Sequence, residues 1–209
     1  MLNAGMVSPT GTYLDLQFQA SHICFLDTSG QISCQGINYY GVLSVPNDTY
    51  TSMAIGSSHS CAINSNADVV CWGDNSSGQS TPPTGQFQKV SVGSSHSCAI
   101  DLNGEATCWG RNNSYYGSPT SGQTNAPSGV FTSLALGQYS SCGLRDTGEV
   151  ECWGYGYGCR TNPPQNILFS KIVGHGGTFC GIDHNGILQC WGNIPSWVKD
   201  GSGFSFAGS

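Results

Sequence analysis

Ten of the eleven cysteines in this 209-residue chain fall into five pairs, and in every pair the two members stand ten residues apart: 24/34, 61/71, 98/108, 142/152 and 180/190. The first members follow one another at intervals of 37, 37, 44 and 38 residues. A chain marked in this way is a tandem repeat, and each unit must fold by the same rules as its neighbours. The rest of the frame agrees. An aromatic residue precedes each first cysteine by eleven positions (Tyr13, Tyr50, Phe87, Phe131, Phe169), and an apolar residue follows it three later (Leu16, Met53, Val90, Leu134, Ile172). Trp-Gly follows the second cysteine at Trp72, Trp109, Trp153 and Trp191; the first unit has Gln35-Gly36 there.

The units cover about 8–45, 46–82, 83–126, 127–164 and 165–209, so the whole chain, 1–209, reads as one domain. Glycine occupies 30 positions and charged residues only 9%, which favours short strands joined by many turns. Repeats of this length with several short strands predict an all-β fold, a five-bladed β-propeller of short antiparallel blades. The alternating stretch Gly203-Phe204-Ser205-Phe206 is expected to supply a closing strand.

In the third unit, His96, Cys98 and Ile100 share a face by the two-residue period of a strand. A two-residue turn at Asn103-Gly104 would set Cys98 opposite Trp109. A three-residue loop, Leu102-Asn103-Gly104, sets Cys98 opposite Cys108. Glycine stands at the matching place at 30, 148 and 186, but the second unit has Ala67, where strain or another turn is expected. The pairs read as one disulfide per blade: Cys24–Cys34, Cys61–Cys71, Cys98–Cys108, Cys142–Cys152 and Cys180–Cys190. The competing reading is metal. It would need further ligands, and the residue two before each first cysteine is His22, His59, His96, then Ser140 and Thr178. Cys159 is left over, free or available to bridge two chains.

Those histidines are either polar residues satisfying the backbone beside the disulfide or ligand contacts repeated around the ring. The tryptophans point away from the cysteines, and they either pack between blades or line inter-blade clefts. The segments after Trp-Gly vary most and carry Asn38, Tyr39, Tyr40, Asp74, Asn75, Asn112, Tyr115, Tyr116, Tyr155 and Tyr157. Tyrosine offers sugar-stacking faces or low-entropy contact area for a protein, whereas Asn, Ser and Gly also simply make turns.

A net charge of −6 with six basic residues argues against nucleic-acid binding. No apolar stretch predicts a membrane span, and no signal peptide is visible at the start. No nucleophile elbow, P-loop or HExxH occurs, so catalysis is not expected and no cofactor is called for. The cysteine density instead implies an oxidising compartment, with the protein secreted or at the cell surface.

The frame Phe-x-x-Val-x-x-Gly, Cys-Ala/Gly-Ile/Leu, a turn glycine and Trp-Gly followed by Asn-x-x-Gly-Gln resembles the propeller repeats of the regulator-of-chromosome-condensation superfamily. The stretch from Cys71 to Gln79 carries its second half most fully. The cysteine-paired form is similar to the CRINKLY-type receptor ectodomains and to secreted propeller-type β-lactamase inhibitor proteins. Five units, and not the seven usual there, resemble the tachylectin-type lectins. These resemblances imply a propeller that binds and does not turn over its ligand. The first expectation is a multivalent lectin for glycans or glycoproteins, with sites in the loops or between blades. The alternative is a protein-interaction or enzyme-inhibitor propeller that meets one partner through one face.

Overall fold

A computed structural model describes residues 11–113, 121–157 and 160–194. Their strands form five separate three-stranded antiparallel sheets, one per repeat. Blade 1 contains β1 (Tyr13–Phe18), β2 (His22–Asp27) and β3 (Ile32–Gly36); blade 2 contains β4 (Tyr50–Ile55), β5 (His59–Asn64) and β6 (Val69–Gly73). Blade 3 follows with β7 (Phe87–Val92), β8 (His96–Asp101) and β9 (Ala106–Gly110), and blade 4 with β10 (Phe131–Leu136), β11 (Ser140–Arg145) and β12 (Val150–Gly154). Blade 5 is β13 (Phe169–His175), β14 (Thr178–Asp183) and β15 (Leu188–Gly192). The expected stretch 203–206 lies outside the described residues.

Each hairpin has the register that brings its cysteines together. Cys98 faces Cys108 and Ser97 faces Trp109, and the same register holds in all five blades, with Gln35 in the tryptophan's place in the first. All five disulfides are formed, across Cα separations of 4.0–4.1 Å. Such close approach belongs to the non-hydrogen-bonded pairs of an antiparallel ladder. The register is fixed at the turn. Asp101 N–H donates to Glu105 O, Gly104 N–H donates to Asp101 O, and Gly104 takes φ 90°. The Asp101 carboxylate accepts from the N–H groups of Asn103 and Glu105, closing the loop with its side chain. Ala67 keeps this same turn at φ 66°. The second hairpin is therefore strained and not rebuilt.

Every sheet has a front face toward the preceding blade and a rear face toward the next. The first disulfide cysteine and the apolar residue two after it lie on the rear face, and the Trp and the apolar residues of the first strand on the front. Four apolar clusters result, one at each junction. Cys24, Leu26, Met53 and Trp72 join blades 1 and 2; Cys61, Ile63 and Phe87 join 2 and 3. Ile100, Phe131 and Trp153 join blades 3 and 4; Leu144, Phe169, Ile172 and Trp191 join 4 and 5. The turn glycines tie blades as well: Gly30 O, Gly104 O and Gly148 O accept from Tyr50, Phe131 and Phe169 N–H at the start of the next blade. Among the described residues no fifth apolar cluster joins blade 5 to blade 1.

Candidate binding face

Strand directions place the first turn of each blade and the start of each connector at one end of the molecule, with the cysteine-hairpin loops at the other. At the first end the blades converge on the centre. Gln19, Ser57, Ser94, Gly137 and His175, one from each blade, line a shared cavity of about 160 Å³. Ser94 N–H donates to Gly137 O and the Ser58 hydroxyl to Ser94 O, so successive turns are linked around this centre.

Outside the centre stand the connector residues. Tyr39 and Tyr40 sit in a short 3-10 turn (Tyr39–Gly41) and are 60% and 70% exposed; Tyr157 is 71% exposed. Tyr155 stacks on Tyr157 with ring centroids 6.1 Å apart and meets Tyr139 edge-on at 6.4 Å. Tyr139, from the first turn of blade 4, was not among the residues singled out by sequence, because it belongs to no connector. Tyr115, Tyr116 and Cys159 lie outside the described residues.

The polar side chains of these connectors are engaged locally. Asn38 Oδ1 accepts from Leu43 N–H, and Asp74 accepts from Ser76 N–H and Gln79 Nε2. Asn75 Oδ1 accepts from Ser80 N–H, and Asn112 Oδ1 from Thr124 N–H. Each closes its own loop, the behaviour of Asx residues in turns.

The histidines and tryptophans lie inside the junctions. His59 Nε2 is 2.8 Å from Ser97 Oγ of the next blade. That hydroxyl donates to Gln79 O, which leaves His59 Nε2–H as the donor; Gln79 O also accepts from Trp109 Nε1–H at 2.9 Å. The arrangement recurs one junction on, from His96 through Ser141 to Gln123 O, with Trp153 as the second donor. Trp72 makes the corresponding bond to Val42 O. Burial drives His59 down to about 4 and His96 down to about 3, so both are neutral imidazoles. His22 is also lowered by burial; its Nε2 has no hydrogen-bond partner, and neither has Ser60 Oγ across that junction. Trp191 Nε1 is likewise without a partner. The hub carbonyls went unread in the sequence, although Gly78-Gln79 and Gly122-Gln123 each stand at the same distance before a tryptophan.

No group of three or more His, Cys, Asp or Glu side chains is placed to hold a metal ion among the described residues. None of the described helices is long and apolar enough to cross a membrane.

The family model of the regulator of chromosome condensation (RCC1) repeat matches residues 50–79 and 87–123. No curated protein sequence matches the chain. Among solved structures, the ectodomain of the receptor kinase CR4 from Physcomitrella patens is 26% identical, with a TM-score of 0.75 over 90% of this chain and 54% of its own. The CRINKLY ectodomain of ACR4 from Arabidopsis thaliana is also 26% identical, with a TM-score of 0.70 over 88% and 65%. Prp20p from Saccharomyces cerevisiae, at 15% identity and a TM-score of 0.70 over 86% and 58%, shares the fold. The chain thus spans between half and two thirds of the structures it matches. Blade order and turn chemistry agree with these likenesses: the chain is a five-bladed propeller with a disulfide in each blade, and its residues 50–79 and 87–123 match the regulator of chromosome condensation repeat.

Proposed function

We propose that this propeller is a protein-interaction module of an oxidising, extracellular or cell-surface setting, and that it meets its partner through the face carrying the connector tyrosines. The carrying observation is the contrast on that face: Tyr39, Tyr40 and Tyr157 project into solvent while Asn38, Asp74, Asn75 and Asn112 are bonded inside their own loops. Aromatic area with few unengaged polar groups suits contact with a protein surface, where buried tyrosines dominate affinity. Recognition of hydroxyl-rich ligands would draw more heavily on free Asn and Asp. The likeness to Prp20p, whose structure is described together with its binding to Gsp1p and histones, supports this direction. Five disulfides and the likeness to receptor ectodomains support the compartment.

A glycan reading rests on one observation, the stacked pair Tyr155 and Tyr157, which forms a flat platform of the kind that receives a sugar ring. The two readings separate in one experiment. The oxidised protein is screened against an array of secreted and surface proteins and against a glycan array. A hit is then titrated by calorimetry with the wild type and with Tyr39→Ala/Tyr40→Ala/Tyr157→Ala. One protein bound per propeller, lost in the triple variant, supports the proposal. Glycan binding at several sites with no protein hit replaces it.

A further inference from the structure

We propose that Arg160, seated on Gly177 beside the stacked tyrosines, anchors an acidic side chain of the partner, an Asp or Glu carried on an otherwise apolar segment; this rests on the protein-interaction reading above and names what that face selects. Two departures from the repeat meet at this point. A Cβ on Gly110 would lie 3.0 Å from Gln79 Cα, one on Gly154 3.2 Å from Gln123 Cα, and one on Gly192 3.5 Å from Arg160 Cα. Arg160 thus stands in the place of the two hub glutamines. Those are completely buried and tied into their own connectors, Gln79 through Ser77 N–H and Asp74, Gln123 through Ser121 and Asn113 O. Arg160 extends instead to the first turn of blade 5, where a Cβ on Gly177 would come within 2.5 Å of its Nε and 2.7 Å of its Cζ and Nη2. The other units carry Ser21, Ser58, Ser95 and Tyr139 at the position of Gly177. Glycine there makes the seat.

The seated guanidinium is not answered from within. Among the described residues Arg160 has no ion-pair partner, whereas Arg145 has Glu151. Its Nε–H is buried without an acceptor, while the terminal Nη groups are not sealed off. A cation held in this way is costly, and the glutamine of the other units would avoid the cost. No Asp or Glu occurs from 152 to 182, nor in the blade 4 turn, 137–139. Aromatic rings border the site. Gln138 N–H donates to Gly176 O, next to the seat, and Gln138 Nε2 donates to the Tyr139 hydroxyl at 3.3 Å. Thr161 packs on Gly156, between Tyr155 and Tyr157: a Cβ there would meet its Oγ1 at 2.9 Å.

The occupant follows from charge and shape. A planar fork of N–H donors matches a carboxylate, and the neighbouring tyrosines offer contact area to apolar residues beside it. A basic segment would be repelled, and an uncharged one would leave the cation unpaired under the partner. The net charge of −6 works against an acidic partner only at long range. Salt screens that repulsion beyond about 8 Å, so the local pair decides the contact.

A phage-displayed library of random short segments is panned on the oxidised protein. Selected segments should carry Asp or Glu next to apolar or aromatic residues. The best are made as amidated peptides, so that the side chain is their source of carboxylate, and are titrated by calorimetry. Arg160→Gln, with all five disulfides present by intact mass, should weaken binding on the order of 10- to 100-fold. Asp→Asn or Glu→Gln in the peptide should do the same, and both changes together should cost little more than either alone. Arg160→Lys should restore part of the loss, since it keeps the charge without the fork. Selection without acidic residues overturns the anchor, as does a peptide change that costs as much against Arg160→Gln as against wild type. Segments lost with Tyr39→Ala/Tyr40→Ala/Tyr157→Ala but indifferent to Arg160→Gln overturn the anchor and leave the face standing; segments indifferent to both overturn both. If no segment is selected the anchor is overturned, and the protein array decides the face separately. Should Arg160→Gln fail to fold, Gly177→Ser displaces the guanidinium with the residue of the other units and should weaken the acidic peptide alone; equal binding of the acidic and amide peptides to wild type overturns the anchor without any variant.

Discussion

His59 Nε2 donates to Ser97 Oγ, 2.8 Å away in the next blade, and both side chains are completely buried. The two residues belong to successive copies of one sequence, Ser-Ser-His-Ser-Cys-Ala-Ile, yet they face opposite ways. The histidine of each copy points forward to the following blade, and the serine next to it points back. The motif is a connector between blades, with its disulfide cysteine alongside.

This geometry separates two serines that the sequence makes equivalent. Ser97→Ala should cost about 1–3 kcal/mol, because it strands the His59 donor and removes a bond to Gln79 O. Ser60→Ala should be close to neutral, since Ser60 Oγ has no partner across the first junction. Urea unfolding of both variants checks the contrast; equal losses would remove the relay from the account of stability.

Stability should depend on pH in the window below neutrality. His59 and His96 are lowered to about 4 and about 3 from an ordinary value near 6.5, with burial as the main cause. Above 6.5 both folded and unfolded imidazoles are neutral, and the stability is fully present. As pH falls through 6.5 the unfolded chain takes up protons that the folded chain refuses. Stability is therefore lost toward pH 4, by at most about 1.4 kcal/mol per pH unit for each histidine. Urea midpoints between pH 8 and 5 should be flat, then fall, and His59→Asn should roughly halve the slope. A midpoint that rises toward acid would contradict the burial.

How much of this was legible beforehand depended on sequence distance. The hairpins were readable because register, turn glycine and both cysteines lie within about a dozen residues, where period and turn chemistry decide the outcome. The tryptophan's direction followed from the same alternation. The His59–Ser97 and His96–Ser141 bonds were not readable, since they join residues 38 and 45 apart whose spacing is set by connectors of unequal length. Nor did composition reveal that Asn38 and Asp74 would be held within their own loops. The first unit departs from the common frame at Ile23, Phe25 and Gln35.

Ala67 offers a test of the turn. Gly30, Gly104, Gly148 and Gly186 adopt the same left-handed conformation at φ 81–90°, but Ala67 does so at φ 66° with a Cβ. Replacing it with glycine relieves about 1–2 kcal/mol of local strain and gives back about 0.4–1 kcal/mol through a freer unfolded chain. Ala67→Gly should thus gain about 0.5–1 kcal/mol net. The opposite change, Gly104→Ala, should destabilise more than the strain alone, because its Cβ would meet Val130 Cγ1 at 2.7 Å. Thermal melts of the two variants should move in opposite directions.

The disulfides should differ in worth although their loops are identical. Each closes ten residues, for which loop-closure entropy predicts about 2–3 kcal/mol. Cys98 is also fully buried, on the face toward blade 4, while Cys180, at the same place in blade 5, is only partly buried. Replacing Cys98 and Cys108 by alanine therefore loses the loop term and also leaves an under-filled junction. Replacing Cys180 and Cys190 loses little beyond the loop term. Guanidinium unfolding of the two double variants should rank the third blade above the fifth by about 1 kcal/mol or more, the scale of an added core cavity. Equal losses would mean that burial at the junction of blades 3 and 4 adds nothing to the worth of its disulfide.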